Sequence, residues 1–395
     1  RTSKLLSKVE TVNGEKYVWC TFSEDQVDYD FENFEVLKEF ISIISFYLDN
    51  GISVFRFDAV AFLWKKIGSS CVNLPETHEI VRLFRTVIDY LSPSAILVTE
   101  TNTPARENVT YFGNANEAHW IYNFSLAPLL VHAFLFENSS YLNQWSKKLP
   151  ITKNGNSYLN FISSHDGIGI RPTEGIFNKK VLNNFLKRLK KNGSKFSYRK
   201  VKNKSKKVYE ANITVFDALK KTDYDSKGKF FLERYVSAHS IMISFEGIPA
   251  IYFNSLFGKS NDEAKYIITG NNRDVNRYKW NYKNISKKLS NKNSKQSIFF
   301  QKISNLLSIR RKQKAFHPNA SRHNINLGSK IFSFKRISIN KKQTVICITN
   351  LSSKIQRANL NKIYHNWTNL IGSKIEIKNK LLILKPFETI WLSNK

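Results

Sequence analysis

Gly51-Ile52-Ser53-Val54-Phe55-Arg56-Phe57-Asp58-Ala59-Val60 is the stretch from which the architecture can be read. Residues 54–57 are apolar apart from Arg56 and read as a short buried strand, and an aspartate stands just past its C-terminal end. Strand alternation puts Arg56 on the same face as Asp58, and an arginine in an apolar strand needs an anionic partner. The pattern recurs twice. Residues 95–99 (AILVT) lead into Glu100, and residues 159–164 (LNFISS) lead into His165-Asp166. Each site alone has a plainer reading: Asp58 as a helix N-cap, Glu100 as a surface carboxylate, His165-Asp166 as part of a metal site. Three such sites in the same position on three strands favour a common purpose.

On the C-terminal side, residues 120–124 and 250–253 also read as buried strands. Apolar residues at helical spacing mark helices over 34–48, 76–90 and 230–245. Strand alternating with helix points to parallel β/α units. In a β/α barrel the strand C-termini converge on one face, which would bring Asp58, Glu100 and Asp166 together. Such a set suits glycosidic chemistry, in which one carboxylate attacks while another donates and then accepts a proton. Between 171 and 229 the chain becomes a Lys/Asn/Ser-rich insertion, with one helical piece over 181–191 and a turn-rich basic tail. Beyond about residue 319 only short strands remain, over 331–337, 343–350, 374–377, 381–384 and 389–392. They form an antiparallel β domain.

The 395 residues are 42% hydrophobic and 13% aromatic, enough to bury a large core and a second small one. No run of about 18 apolar residues occurs, so no membrane span is expected. Three cysteines, Cys20, Cys71 and Cys347, have no paired spacing. They read as reduced thiols of a cytoplasmic protein, with neither a disulfide frame nor a metal site. The net charge of +31 raises the question of a polyanion partner. Lysine far outnumbers arginine, the basic residues are spread along the chain, densest over 179–207, and no nucleic-acid motif accompanies them. They read as a solvated face, and no specific nucleic acid is expected.

The stretch 51–60, Thr99-Glu100-Thr101 and Ser164-His165-Asp166 resemble the second, third and fourth signature regions of the α-amylase superfamily. WCTFSEDQVD (19–28), FLWKKIGSSC (62–71), YNFSLAPLL (122–130) and GNNRDVNR (270–277) resemble the sucrose phosphorylase group. The longer run FLWKKIGSSCVNLPETHEI (62–80) is similar to its glucosylglycerate phosphorylases. ITNLSS (348–353) and LKPFETIWL (384–392) are similar to the superfamily's C-terminal domain. The resemblance implies a TIM-type (β/α)8 barrel with a C-terminal antiparallel β domain. It implies retaining phosphorolysis of a small α-glucoside, of sucrose or glucosylglycerate type, to α-glucose 1-phosphate. Asp58 would be the nucleophile, Glu100 the acid/base and Asp166 the carboxylate that holds sugar hydroxyls. Arg56, His165, Arg277 and Phe62 would line the substrate site. Inorganic phosphate would be co-substrate, with no cofactor and no metal. Lys65 is a candidate phosphate contact or a structural lysine, and Glu117 a surface or supporting carboxylate.

One expected segment is not found. The family's first signature, Asp-X-X-X-Asn-His, should precede everything quoted above. The chain therefore reads as lacking about the first three β/α units of the barrel. Residues 1–35 would be a remnant of the loop domain after strand 3, 36–318 the catalytic barrel from strand 4 to strand 8, and 319–395 the β domain. On that reading this polypeptide by itself is inactive or poorly soluble. Two rival functions remain at this point: an α-glucoside hydrolase or transglucosidase of the same superfamily, and a non-catalytic carbohydrate-binding remnant. The sequence sets no oligomeric state.

Overall fold

A computed structural model describes residues 4–153, 155–200, 205–359, 367–372, 375–378 and 381–395. Part of the basic stretch (201–204) and Lys374, at the start of one expected strand, lie outside them. The chain forms two compact units. The first holds Arg1–Tyr122, Lys153–Ser157 and Tyr198–Tyr209; the second holds Asn123–Thr152, Tyr158–Ser197 and Glu210–Lys395.

The first unit opens with an antiparallel hairpin, Leu6–Thr11 against Gly14–Trp19, whose tight turn places Gly14 in the left-handed region at φ 87°. Two β/α steps follow. Helix Phe34–Asp49 starts where the Asn33 side chain accepts from the Glu35 N–H. Strand Val54–Phe57 then pairs in parallel with Ile96–Thr99, and that strand pairs in parallel with Trp120–Tyr122. Helix Pro75–Leu91 makes the crossover. Proline at its first position costs no hydrogen bond, and Ile80, Val81, Phe84 and Ile88 form its buried stripe. The expected burial of the first strand is only half met: Phe55 is buried, whereas Val54 is 49% exposed. The cause is position, since Val54–Phe57 is an edge strand among the described residues.

In the second unit, Leu159 and Asn160 of strand Ser157–Asn160 pair in parallel with Ile248–Pro249. Strand Ile248–Pro249 replaces the strand expected over 250–253, where Phe253–Leu256 is instead a short helix. All ten residues of helix Leu126–Leu135 are buried. The basic insertion is not a loop excursion with a single helix. Beyond helix Lys179–Lys191 it contains strands Lys195–Lys200 and Lys206–Asn212 and a largely buried helix, Val215–Lys220. Strand Lys206–Asn212 pairs antiparallel with Ile168–Gly169, immediately after His165-Asp166.

Helix Phe231–Ser244 ends in the protein interior, where its last carbonyls have no helical partner. Two buried arginines satisfy them. Arg310 donates to the Ile243 carbonyl, and Arg336 donates to the Ser244 carbonyl at 2.9 Å. Positive charge at a helix C-terminus is also favoured by the helix dipole. The C-terminal region is antiparallel, in the order Ser321–Ile325, Ile331–Ile337, Thr344–Asn350, Thr389–Ser393, Thr368–Asn369. Ile331, Ile346, Ile348, Ile390 and Leu392 face a smaller sheet that supplies Ala358, Leu382 and Leu384. On the opposite face Trp391 packs edge-on to Phe316 at 4.9 Å, and burial raises the Cys347 thiol to about 12. All three cysteines are free. Among the described residues no helix is long and apolar enough to cross a membrane.

Candidate active site

The first group of site residues belongs to the first unit. Asp58 leaves the end of its strand with a side chain 68% exposed, and its Oδ1 accepts from the Arg56 guanidinium at 2.6 Å. The Asp58 side chain caps no helix: the 3-10 turn Val60–Phe62 starts at Ala59, without a side-chain cap. Arg56 is itself partly exposed, at 36%, and not buried as its apolar neighbours suggest. Its Nε donates to the Tyr122 hydroxyl at 3.1 Å. Partial burial works against the Arg56 charge, but Asp58, Glu100 and Tyr122 together hold its guanidinium above the ordinary value.

Glu100 is not a loose surface carboxylate. Its backbone N–H donates to the Phe57 carbonyl at 3.0 Å, continuing the sheet ladder, and its Oε2 accepts from the Ala59 N–H at 3.1 Å. Ala59, next to Asp58, has φ 50°, a left-handed conformation that costs a non-glycine residue energy and often marks a functional turn. That turn presents the N–H to Glu100, so the two carboxylates are coupled through a single backbone residue. Asn108 braces the same loop. It bonds the Thr101 hydroxyl and donates to the Tyr122 carbonyl at 2.7 Å. Nothing in its sequence context singles out Asn108, because the role lies entirely in tertiary contacts.

Phe62 is partly buried and packs edge-on to Phe22, with ring centroids 5.4 Å apart. Lys65 is structural. Its ammonium lies 2.8 Å from Asp28 and donates to the Phe62 carbonyl. It ties the 19–28 segment to the turn after Asp58, which leaves it committed and not a free phosphate contact. Glu117 is not a surface carboxylate. It is 1% exposed and held by His78 at 2.7 Å and Arg82 at 3.0 Å, both on helix Pro75–Leu91.

The second group belongs to the second unit. Asp166 Oδ1 lies 3.3 Å from His165 Nε2, 3.3 Å from the Arg277 guanidinium and 3.0 Å from that of Arg273. Two guanidinium cations on one carboxylate disfavour the metal-pair reading of His165-Asp166. Arg277 Nε also donates to the His165 carbonyl at 3.3 Å. The segment carrying Arg277 is anchored by the Tyr252 hydroxyl and the Asn254 amide, both donating to the Asn276 carbonyl, at 2.8 and 3.0 Å. Arg273, Asn254 and, from the insertion, Glu210 and Asn212 are not legible as site residues in the sequence. Only Arg273 carries a signal, four residues before Arg277 in a 3-10 turn. Among the described residues no cluster of three or more His, Cys, Asp or Glu side chains suits a metal ion.

Behind Asp166, Gly167 has φ 108°, and a Cβ there would come within 2.5 Å of the Ala211 carbonyl oxygen. Gly167→Ala is therefore expected to push the Asp166 loop off strand Lys206–Asn212. It should destabilise the fold by about 1–3 kcal/mol, read as a lower midpoint in urea unfolding.

Residues 9–171 match the family described as "Alpha amylase, catalytic domain". The chain is 35% identical over 352 residues to a glucosylglycerate phosphorylase of Spirochaeta thermophila, covering 89% of this chain and 60% of that protein. It is 34% identical over 396 residues to a glucosylglycerate phosphorylase of Allomeiothermus silvanus, covering 99% of this chain and 68% of that protein. Among solved structures, sucrose 6F-phosphate phosphorylase from Thermoanaerobacter thermosaccharolyticum superposes with a TM-score of 0.75 at 21% identity, covering 89% of this chain and 68% of that one. The chain thus spans about 60% of the length of the first of these relatives. The fold is the mixed α/β fold of the α-amylase superfamily with C-terminal antiparallel sheets, and the chain belongs to that superfamily's glucosylglycerate phosphorylase family.

Proposed function

We propose, against the expectation that this polypeptide is inactive by itself, that this chain carries out retaining α-glucosyl transfer between a small α-glucoside and phosphate, with glucosylglycerate as the preferred glucoside. The observation that carries the reading is the coupling of Glu100 Oε2 to the N–H of Ala59, beside an Asp58 held by Arg56. In the first step Asp58 Oδ attacks the anomeric carbon while protonated Glu100 gives its proton to the leaving glycerate oxygen. The bond to glycerate breaks and a β-glucosyl ester of Asp58 forms. In the second step a phosphate oxygen attacks the same carbon, Glu100 takes the phosphate proton, and Asp58 leaves as carboxylate. Two inversions give α-glucose 1-phosphate. Arg56 aims the Asp58 carboxylate. His165, Asp166 and Arg277 hold the sugar hydroxyls, and Phe62 forms an apolar wall.

The domain reading belongs to this proposal: parallel strands equivalent to the fourth to eighth of a barrel up to about residue 318, then the β domain. The three free thiols suit a reducing compartment, and we place the protein in the cytoplasm. The test runs the reaction in reverse, with the full chain, α-glucose 1-phosphate and D-glycerate. Phosphate release that requires glycerate supports the reading. Glucose release independent of acceptor and phosphate makes the chain a hydrolase, and phosphate release with fructose alone moves its specificity to sucrose.

A further inference from the structure

We propose that Glu210 and Arg273 are positioning residues that lock the Asp166 carboxylate, so that the basic insertion is a working part of the sugar site. The inference rests on the role given to Asp166 above. Glu210 lies on strand Lys206–Asn212 and is 2% exposed. Its two oxygens take the Arg273 Nε at 3.0 Å and an Arg273 terminal nitrogen at 2.6 Å, a bidentate pairing that fixes the guanidinium plane. The other terminal nitrogen of Arg273 then lies 3.0 Å from Asp166 Oδ1. From the same strand, buried Asn212 donates to the Asp166 backbone carbonyl at 2.7 Å, so carbonyl and carboxylate are both held.

The geometry has a direction. His165, Arg273 and Arg277 all approach Oδ1, and among the described residues Oδ2 takes no protein donor. A carboxylate saturated on one oxygen and open on the other presents a fixed acceptor to a sugar hydroxyl. A lysine in place of Arg273 supplies charge but cannot bridge both partners in a plane. The groups facing Asp166 are therefore His165, Arg273 and Arg277, with Tyr252 nearby and Glu210 behind Arg273.

The experiment uses the full chain and the variants Glu210→Gln, Arg273→Lys and Arg273→Gln, each checked for an unchanged circular dichroism spectrum. We expect kcat for transfer from α-glucose 1-phosphate to glycerate to fall about 10- to 100-fold in each. The loss is expected in kcat, with KM within about threefold, the split given by a contact that tightens only in the transition state. A merely structural pair would lower the melting temperature and leave kcat unchanged. An active wild type whose variants keep kcat within twofold overturns the proposal. A wild type without transfer overturns the proposed function instead. Crystal structures of the variants then decide this inference: a displaced Asp166 carboxylate sustains it, and an unmoved one ends it. If one variant fails to fold, the structures of the other two decide in the same way.

Discussion

Asp58→Asn is expected to lower glucosyl transfer by at least about 10^4-fold, the scale on which removing a covalent nucleophile acts, while leaving the melting temperature within a degree or two of wild type. The two halves of that result come from the same geometry. The Asp58 side chain is 68% exposed and touches Arg56, whereas the packing at this strand end is made by Phe57 against Phe84. The substitution keeps shape, so folding loses little. The chemistry loses everything, because an amide is too weak a nucleophile to displace a glycerate oxygen. Arg56 is the ion partner of the native carboxylate: partial burial works against the guanidinium, and Asp58 and Glu100 together hold it above its ordinary value. Parallel progress curves and thermal melts check both halves. Lost activity together with a lost fold would mean that Asp58 is structural.

The largest stability effect is expected elsewhere, at Asp225→Asn, at about 3–5 kcal/mol, the cost of leaving a buried charge without its partner. Arg234 is fully buried. Its guanidinium donates to Asp225 at 3.0 Å and to the carbonyls of Leu219 and Lys220, which end helix Val215–Lys220. Asp225 in turn accepts from the N–H groups of Lys229 and Phe230 at the start of helix Phe231–Ser244. The pair therefore clamps the C-terminus of one helix to the N-terminus of the next, with each charge at the helix end that favours it. Burial alone would raise the Asp225 carboxyl, but these donors and Arg234 outweigh it and hold the group below its usual value. A depressed folded-state pKa means that the stabilisation is fully present above the unfolded value, about 3.9, and is lost as pH falls through the folded value. Urea unfolding at about pH 7 should show the full loss for the variant. The difference from wild type should shrink as the titration approaches about pH 3.

How much of this is legible in the sequence depends on whether the signal is local. Strand Val54–Phe57 and helix Phe34–Asp49 sit where they are expected, because a short apolar run, an N-capping Asn33 and a terminal Gly51 write their own boundaries. The strand at Ile248–Pro249 lies two residues before its expected place, since the apolar run continues through Tyr252 and Phe253, whose rings serve a helix and a loop instead. The insertion reads as a loop for a physical reason. Strands Lys195–Lys200 (KFSYRK) and Lys206–Asn212 (KKVYEAN) start with lysine and hold few apolar residues, and the density of charge hides them. Asp58 and Glu100 announce themselves by standing at strand ends, whereas the strand expected to run on to Ser164 ends at Asn160 and leaves Asp166 on the loop beyond it. Glu210 and Asn212 cannot announce themselves, because their meaning lies in what they touch, and their partners are far away in sequence.

The double-displacement reading stands or falls on trapping its intermediate. Glu100→Gln incubated with α-glucosyl fluoride, whose fluoride leaves without protonation, should form the β-glucosyl ester and discharge it slowly. Proteolysis and tandem mass spectrometry should then find one hexose on the peptide containing Asp58, removed on adding phosphate with formation of α-glucose 1-phosphate. Hexose on another carboxylate, or turnover to an inverted product with Asp58 unmodified, would contradict it.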